Sequence, residues 1–103
     1  SFNQMALNIL WTKRALANLE AELDYYGQIN PILAKELTLI IQQSIDTLSS
    51  MPAIGCAGKK ISTRELVIEK YPYILAYRLR NDVLEVLAVI HQKRKNIRSH
   101  KFI

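Results

Sequence analysis

His91 is the residue of this 103-residue chain best suited to move a proton near neutral pH, and cations follow it at once. Imidazole titrates close to neutrality. The ammonium of Lys93 and the guanidinium of Arg94 suit the clamping of phosphate oxygens, and Lys95 and Arg98 extend the run. Arg64 and Arg78 stand further upstream, inside apolar stretches. Residues 1–85 hold nine Lys/Arg and nine Asp/Glu, whereas residues 86–103 hold Lys93, Arg94, Lys95, Arg98 and Lys101 with no acid, so the whole net charge of +5 sits near the end. Such a field draws phosphate backbones or an acidic protein partner. The plainer alternative is a solvated terminus that binds nothing.

Other chemistries find little footing. Cys56 is the single cysteine, which rules out an internal disulfide framework, and its setting between Gly55 and Ala57 suggests no redox or nucleophilic role. Cys56, His91 and His100 share no metal-ligand spacing, and no glycine-rich phosphate loop occurs. No metal and no cofactor is therefore expected. Each remaining candidate also has a structural reading. His91 can pack on a ring or cap backbone near Pro72, Tyr71 and Tyr73. Arg64 can lie along the sheet edge with its head in water. Tyr26, Tyr73 and Tyr77 fall on expected core faces, which leaves Tyr71 as the one tyrosine suited to stacking on nucleic acid.

The elements that position these residues follow from hydrophobic period. Leu7, Ile9 and Trp11 alternate, as in a first strand. Thr12 can cap a helix, along which Leu16, Leu19, Leu23 and Tyr26 form an apolar stripe. Lys13, Arg14, Asn18, Glu20, Glu22 and Asp24 fall mostly off that stripe, and Gly27 offers a left-handed stop. Asn30-Pro31 opens a second helix. Leu33, Leu37, Ile40, Ile41, Ser44, Ile45 and Leu48 give it a wide buried face, and Ser49-Ser50-Met51-Pro52 ends it. Residues 51–62, with Gly55, Gly58 and Lys59-Lys60, read as a loop. Strands are expected from Thr63 to Ile68, from Tyr73 to Arg80 and from Val83 to Ile90.

Asn81-Asp82 predicts a two-residue hairpin turn, which fixes a register. Arg80 then faces Val83, Arg78 faces Glu85, Tyr77 faces Val86 and Leu75 faces Ala88. Opposed charges at that separation attract, so Arg78 has a partner in Glu85. One sheet face carries Tyr73, Leu75, Tyr77, Leu79, Leu84, Val86, Ala88 and Ile90 and suits packing under helices. The other carries Ile74, Ala76, Arg78, Arg80, Val83, Glu85, Leu87, Val89 and His91, a mixed surface on which a ligand or partner could dock.

The expected architecture is α+β: an N-terminal strand, an antiparallel two-helix hairpin and a three-stranded antiparallel C-terminal sheet, in one domain of residues 1–103. Residues 1–5 are expected to be a flexible start, with Met5 as the natural first residue, and residues 92–103 a basic tail. No apolar run nears the roughly 20 residues of a membrane span. The opening Ser1-Phe2-Asn3-Gln4-Met5 lacks the marks of a signal peptide, and a cytoplasmic setting is expected.

The combined pattern of Thr63-Arg64-Glu65-Leu66, Tyr73-Ile74-Leu75-Ala76-Tyr77-Arg78, Val83-Leu84-Glu85-Val86-Leu87-Ala88-Val89-Ile90-His91 and Arg94, behind a helical hairpin, resembles the RelE/ParE superfamily of bacterial toxins over nearly the whole chain. No single motif decides it. The resemblance implies a strand-helix-helix-three-strand fold, growth inhibition, and neutralisation by a cognate antitoxin. It also implies one of two activities. RelE-like toxins cut mRNA in the ribosome, by attack of a 2′-hydroxyl on the adjacent phosphate, which needs an acid, a base and cations. Here His91, Arg64, Lys93 and Arg94 would serve. ParE-like toxins bind and poison DNA gyrase, and Arg78, His91, Lys93, Arg94, Lys95 and Arg98 would then form the target-binding set. The arginine that RelE-like nucleases carry at the start of one strand aligns with Ile74, so the resemblance leans to the gyrase branch. A toxin that has decayed to an antitoxin-binding module is the third reading.

Overall fold

The computed structural model describes residues 7–68 and 70–92. Lys93, Arg94, Lys95, Arg98 and His100, the proposed flexible start and nearly all of the proposed tail lie outside the described residues.

Strand β1, Asn8–Trp11, sends Ile9 and Trp11 towards the core and leaves Leu10 exposed. Thr12 then caps helix α1, Lys13–Ile29, its hydroxyl accepting from Ala15 N at 3.1 Å. The buried face of α1 is built on Ala15 and Glu22, with Leu19, Leu23 and Tyr26 packed partly beneath. Leu16, expected on that stripe, is 43% exposed. Gly27 does not stop the helix: α1 runs on to Ile29, and no glycine among the described residues has a positive φ. The break falls at extended Asn30. Its N–H donates to Tyr26 O at 2.8 Å and its Oδ1 accepts from Ile32 N at 3.0 Å, so one residue closes α1 and opens α2, Pro31–Ser50. Leu37, Ile41, Ile45 and Leu48 form the buried face of α2. Each such side chain contributes about 1.5–3 kcal/mol by leaving water.

The segment expected to be a plain loop holds more order than its composition suggests. A 3₁₀ turn at Pro52–Ile54 leads into a short strand β2, Cys56–Ala57, antiparallel to β3, Arg64–Ile68. Strands β4, Tyr73–Arg80, and β5, Val83–His91, follow. The expected antiparallel trio is thus the middle of a five-stranded mixed sheet of order β1-β5-β4-β3-β2, in which β1 lies parallel to β5. Parallel neighbours need a long crossover, and here the two helices and β2–β4 all lie between them.

Asn81 (φ 52°) and Asp82 (φ 62°) supply the left-handed turn between β4 and β5. Near it the pairing is as expected: Arg80 with Val83, Arg78 with Glu85, Tyr77 with Val86. Then a bulge intervenes. Ala76 pairs with Ala88, which leaves Leu87 as an extra residue, so Leu75 faces Val89 instead of Ala88 and Tyr73 faces His91. An extra residue flips the parity of everything beyond it. Val89 joins the core, while Ala88 and Ile90 move to the opposite face and His91 moves to the helical side. The cause lies in α1 and its cap. The Thr12 hydroxyl donates to Leu87 O at 3.2 Å, and Val89 N donates to Asn18 Oδ1 at 3.1 Å.

The core lies between the hairpin and one sheet face. Ala15, Leu37, Ile41, Ile45, Ile68, Tyr73, Leu75, Val86 and Val89 form its main cluster, with Leu48, Tyr77 and Leu84 beside them. No helix among the described residues is long and apolar enough to cross a membrane.

Candidate functional site

Opposite the helices, the sheet presents Leu10 of β1, Glu85 of β5, Arg78 and Arg80 of β4, and Glu65 and Val67 of β3. Register places all of them on this side. Leu10, Val67 and Arg80 are exposed at the rim, whereas Ile74 and Ala88 near the middle are buried. Arg78 Nε donates to Glu85 Oε1 across the hairpin. The pair is partly solvated and contributes up to about 1 kcal/mol. Its main effect is to give each charge a fixed partner across the hairpin.

His91 stands on the other side. Its ring meets Tyr73 edge to face, with centroids 5.0 Å apart and planes at 85°. Pro72, its expected neighbour, instead accepts from Gln92 N at 2.7 Å. Tyr73 is fully buried and its hydroxyl donates to Glu22 Oε1 at 2.6 Å. Burial, then the Glu22 hydrogen bond, pushes the Tyr73 phenol far above its ordinary range. Tyr71 belongs to the same ring cluster, 5.7 Å from Tyr26 and 6.5 Å from Tyr73. Burial and the nearby Glu36 carboxylate raise its phenol. Such contacts are worth about 0.5–1.5 kcal/mol each, and they account for Tyr71 without nucleic acid. Lys70 bonds Glu36 at 2.6 Å, holding the Glu36 carboxyl below its usual range and the Lys70 ammonium above its own.

Arg64 does more than lie along the edge. Its Nη1 donates to Gly55 O at 2.8 Å and Ala53 O at 3.3 Å, which ties the segment before β2 to the sheet. Tyr77 anchors the same segment from below. Its hydroxyl donates to Pro52 O at 2.6 Å and accepts from Gly55 N at 3.0 Å. Burial raises the Tyr77 phenol, against a smaller opposite pull from the Gly55 N–H and Arg64. A Cβ at residue 55 would stand 2.8 Å from Tyr77 Cε1, so the close approach requires glycine.

The structure therefore separates the candidates. Arg78 and His91, expected on one face, lie on opposite faces, and Arg64 shares the helical side of the sheet at its far edge. Among the described residues no group of three or more His, Cys, Asp or Glu could hold a metal ion.

The family model described as ParE toxin of the type II toxin-antitoxin system parDE matches residues 9–96. The chain belongs to the ParE toxin family. This toxin is 41% identical over 83 residues to a protein of Sinorhizobium fredii (strain NBRC 101917 / NGR234) named as toxin Y4kP, covering 81% of this chain and 85% of that one. It is 33% identical over 86 residues to toxin RelE2 of Caulobacter vibrioides (strain ATCC 19089 / CIP 103742 / CB 15), covering 84% and 96%. Its fold matches a chain from the chromosomal ParDE TA system of P. aeruginosa with a TM-score of 0.74 at 22% identity, covering 84% of this chain and 97% of that one.

Two features of the toxin escaped the hydrophobic pattern. Glu22 is buried, although its charge groups it with the polar residues expected off the apolar stripe. Tyr77 and Gly55 form a latch across 22 residues of sequence. Glu22 carries a faint signal, since its spacing from Ala15, Leu19 and Tyr26 places it on their face. The latch carries none.

Proposed function

We propose that this toxin acts by binding DNA gyrase and not by cutting RNA, and that a cognate antitoxin holds it in check in the cytoplasm. One observation carries the reading: Ile74, where the arginine of RelE-like nucleases would align, is apolar and buried. Of the cleavage candidates among the described residues, His91 packs on Tyr73 at the end of β5 and Arg64 is bonded to Ala53 and Gly55 at the far edge of the sheet. The target-binding set is then Arg78 on the outer sheet face together with Lys93, Arg94, Lys95 and Arg98, and His91 serves to order the end of β5.

A gyrase supercoiling assay and an in vitro translation assay, run side by side, test this. Inhibited supercoiling with intact message is expected. Normal supercoiling with cleaved message would overturn the reading. The likeness to a relative named toxin RelE2 favours a second reading, ribosome-dependent RNA cleavage with His91 as acid or base and Arg64, Lys93 and Arg94 as phosphate clamps. Loss of toxicity in His91→Ala, with message cut in the wild type, would support it.

The antitoxin is expected to be a segment that orders on binding and lays a helix or strand on the toxin. Acidic residues on it would meet the C-terminal cations. The complex should therefore weaken as salt rises, and an affinity independent of salt would remove charge from the account.

A further inference from the structure

Pro52, Ala53, Ser62, Arg64, Tyr77 and Leu79 line a cleft of about 250 Å³ at the β3 side of the sheet. Pro52, Ala53 and Leu79 make its walls largely apolar. Arg64 is the one cation among the described lining residues, and the loop fixes it, because Nη1 spends its hydrogens on the carbonyls of Ala53 and Gly55. Nε and Nη2 have no bonding partner among the described residues. Those atoms form the edge of a guanidinium that grips a carboxylate through two parallel hydrogen bonds. The Tyr77 hydroxyl in the lining is already used twice, by Pro52 O and Gly55 N, so it adds rigidity.

Size and charge choose the ligand. The cleft falls below the roughly 300–1,000 Å³ of sites for drug-sized molecules, and it suits one or two side chains of a peptide. A single fixed positive charge matches a carboxylate. A phosphate, with a charge near −2, calls for more. We propose that this cleft is a carboxylate-binding site for an acidic peptide. An Asp or Glu takes the Nε–Nη2 edge of Arg64, and an adjoining apolar side chain lies against Leu79 and Pro52. The site does not depend on gyrase being the target.

The test follows the Arg64 Nε–H signal by NMR in the full chain during titration with N-acetyl-glutamyl-leucine amide, its glutaminyl counterpart, or inorganic phosphate. A saturable shift with the glutamyl peptide is expected, about tenfold or more weaker with the glutaminyl one, since a charged hydrogen-bonded pair is lost, and weaker with phosphate. Arg64→Lys, which keeps the charge but loses the fork and with it the Nε–H reporter, should weaken binding by about tenfold when the titration is followed at the Leu79 backbone amide. Leu79→Asp, at an exposed wall position, should abolish it while leaving the backbone amide spectrum in place. Equal response to both peptides, tighter binding of phosphate, no saturation, or unchanged binding in Leu79→Asp would each overturn the proposal.

Discussion

The Tyr77 hydroxyl makes two of the hydrogen bonds that hold the segment before β2. Tyr77→Phe removes both the donor to Pro52 O and the acceptor for Gly55 N. It should cost about 1–3 kcal/mol in chemical denaturation and raise hydrogen exchange at Gly55. Tyr73→Phe should cost a similar amount, because it takes a donor from the buried Glu22 carboxyl. It also has a pH signature. The Tyr73 phenol ionises at higher pH in the folded chain than in the unfolded one. The stability tied to it is thus complete below about pH 10, the range of a free phenol, and is lost as pH rises towards the folded value. Between about pH 9 and about pH 11 the wild type should therefore lose more stability than Tyr73→Phe; equal losses would contradict the assignment. At this scale the sequence was legible where residues are close along the chain. Arg78 with Glu85 follows from a two-residue turn only a few positions away. The latch of Tyr77 on Gly55 does not, because nothing in the pattern of a glycine-containing loop says which ring it rests on.

At the scale of elements, the helices and the central strands follow from apolar period and from Asn30-Pro31 and Asn81-Asp82. What local pattern could not fix were the points decided by distant partners. The bulge at Leu87 is held by Thr12 and Asn18, which are 75 and 71 residues from the atoms they bond. Missing it moved Val89 and His91 to the wrong face. Strand β2 is two residues long and exists because β3 offers an edge beside it. Gly27 is the clearest misreading. It is helical, with nothing within 4 Å of where a Cβ would sit. Gly27→Ala should accordingly stabilise the toxin by roughly 0.5–1 kcal/mol, seen as a higher denaturation midpoint. A loss of stability would mean that residue 27 needs glycine after all.

For the whole molecule, the mixed sheet divides the work between its faces. The helical side holds the core, the buried Glu22–Tyr73 bond and the His91 ring. The outer side holds the Arg78–Glu85 pair amid apolar neighbours, and β5 leads directly to the chain's surplus of cations. That division suits a protein that acts by binding, and among the described residues His91 packs on Tyr73 while Arg64 is tied to the segment before β2. The most direct measurement is the supercoiling of relaxed plasmid by purified gyrase, titrated with wild-type toxin and with His91→Ala. Inhibition at micromolar toxin by both proteins is the predicted result, and supercoiling that proceeds undisturbed in the presence of the wild type would contradict the account.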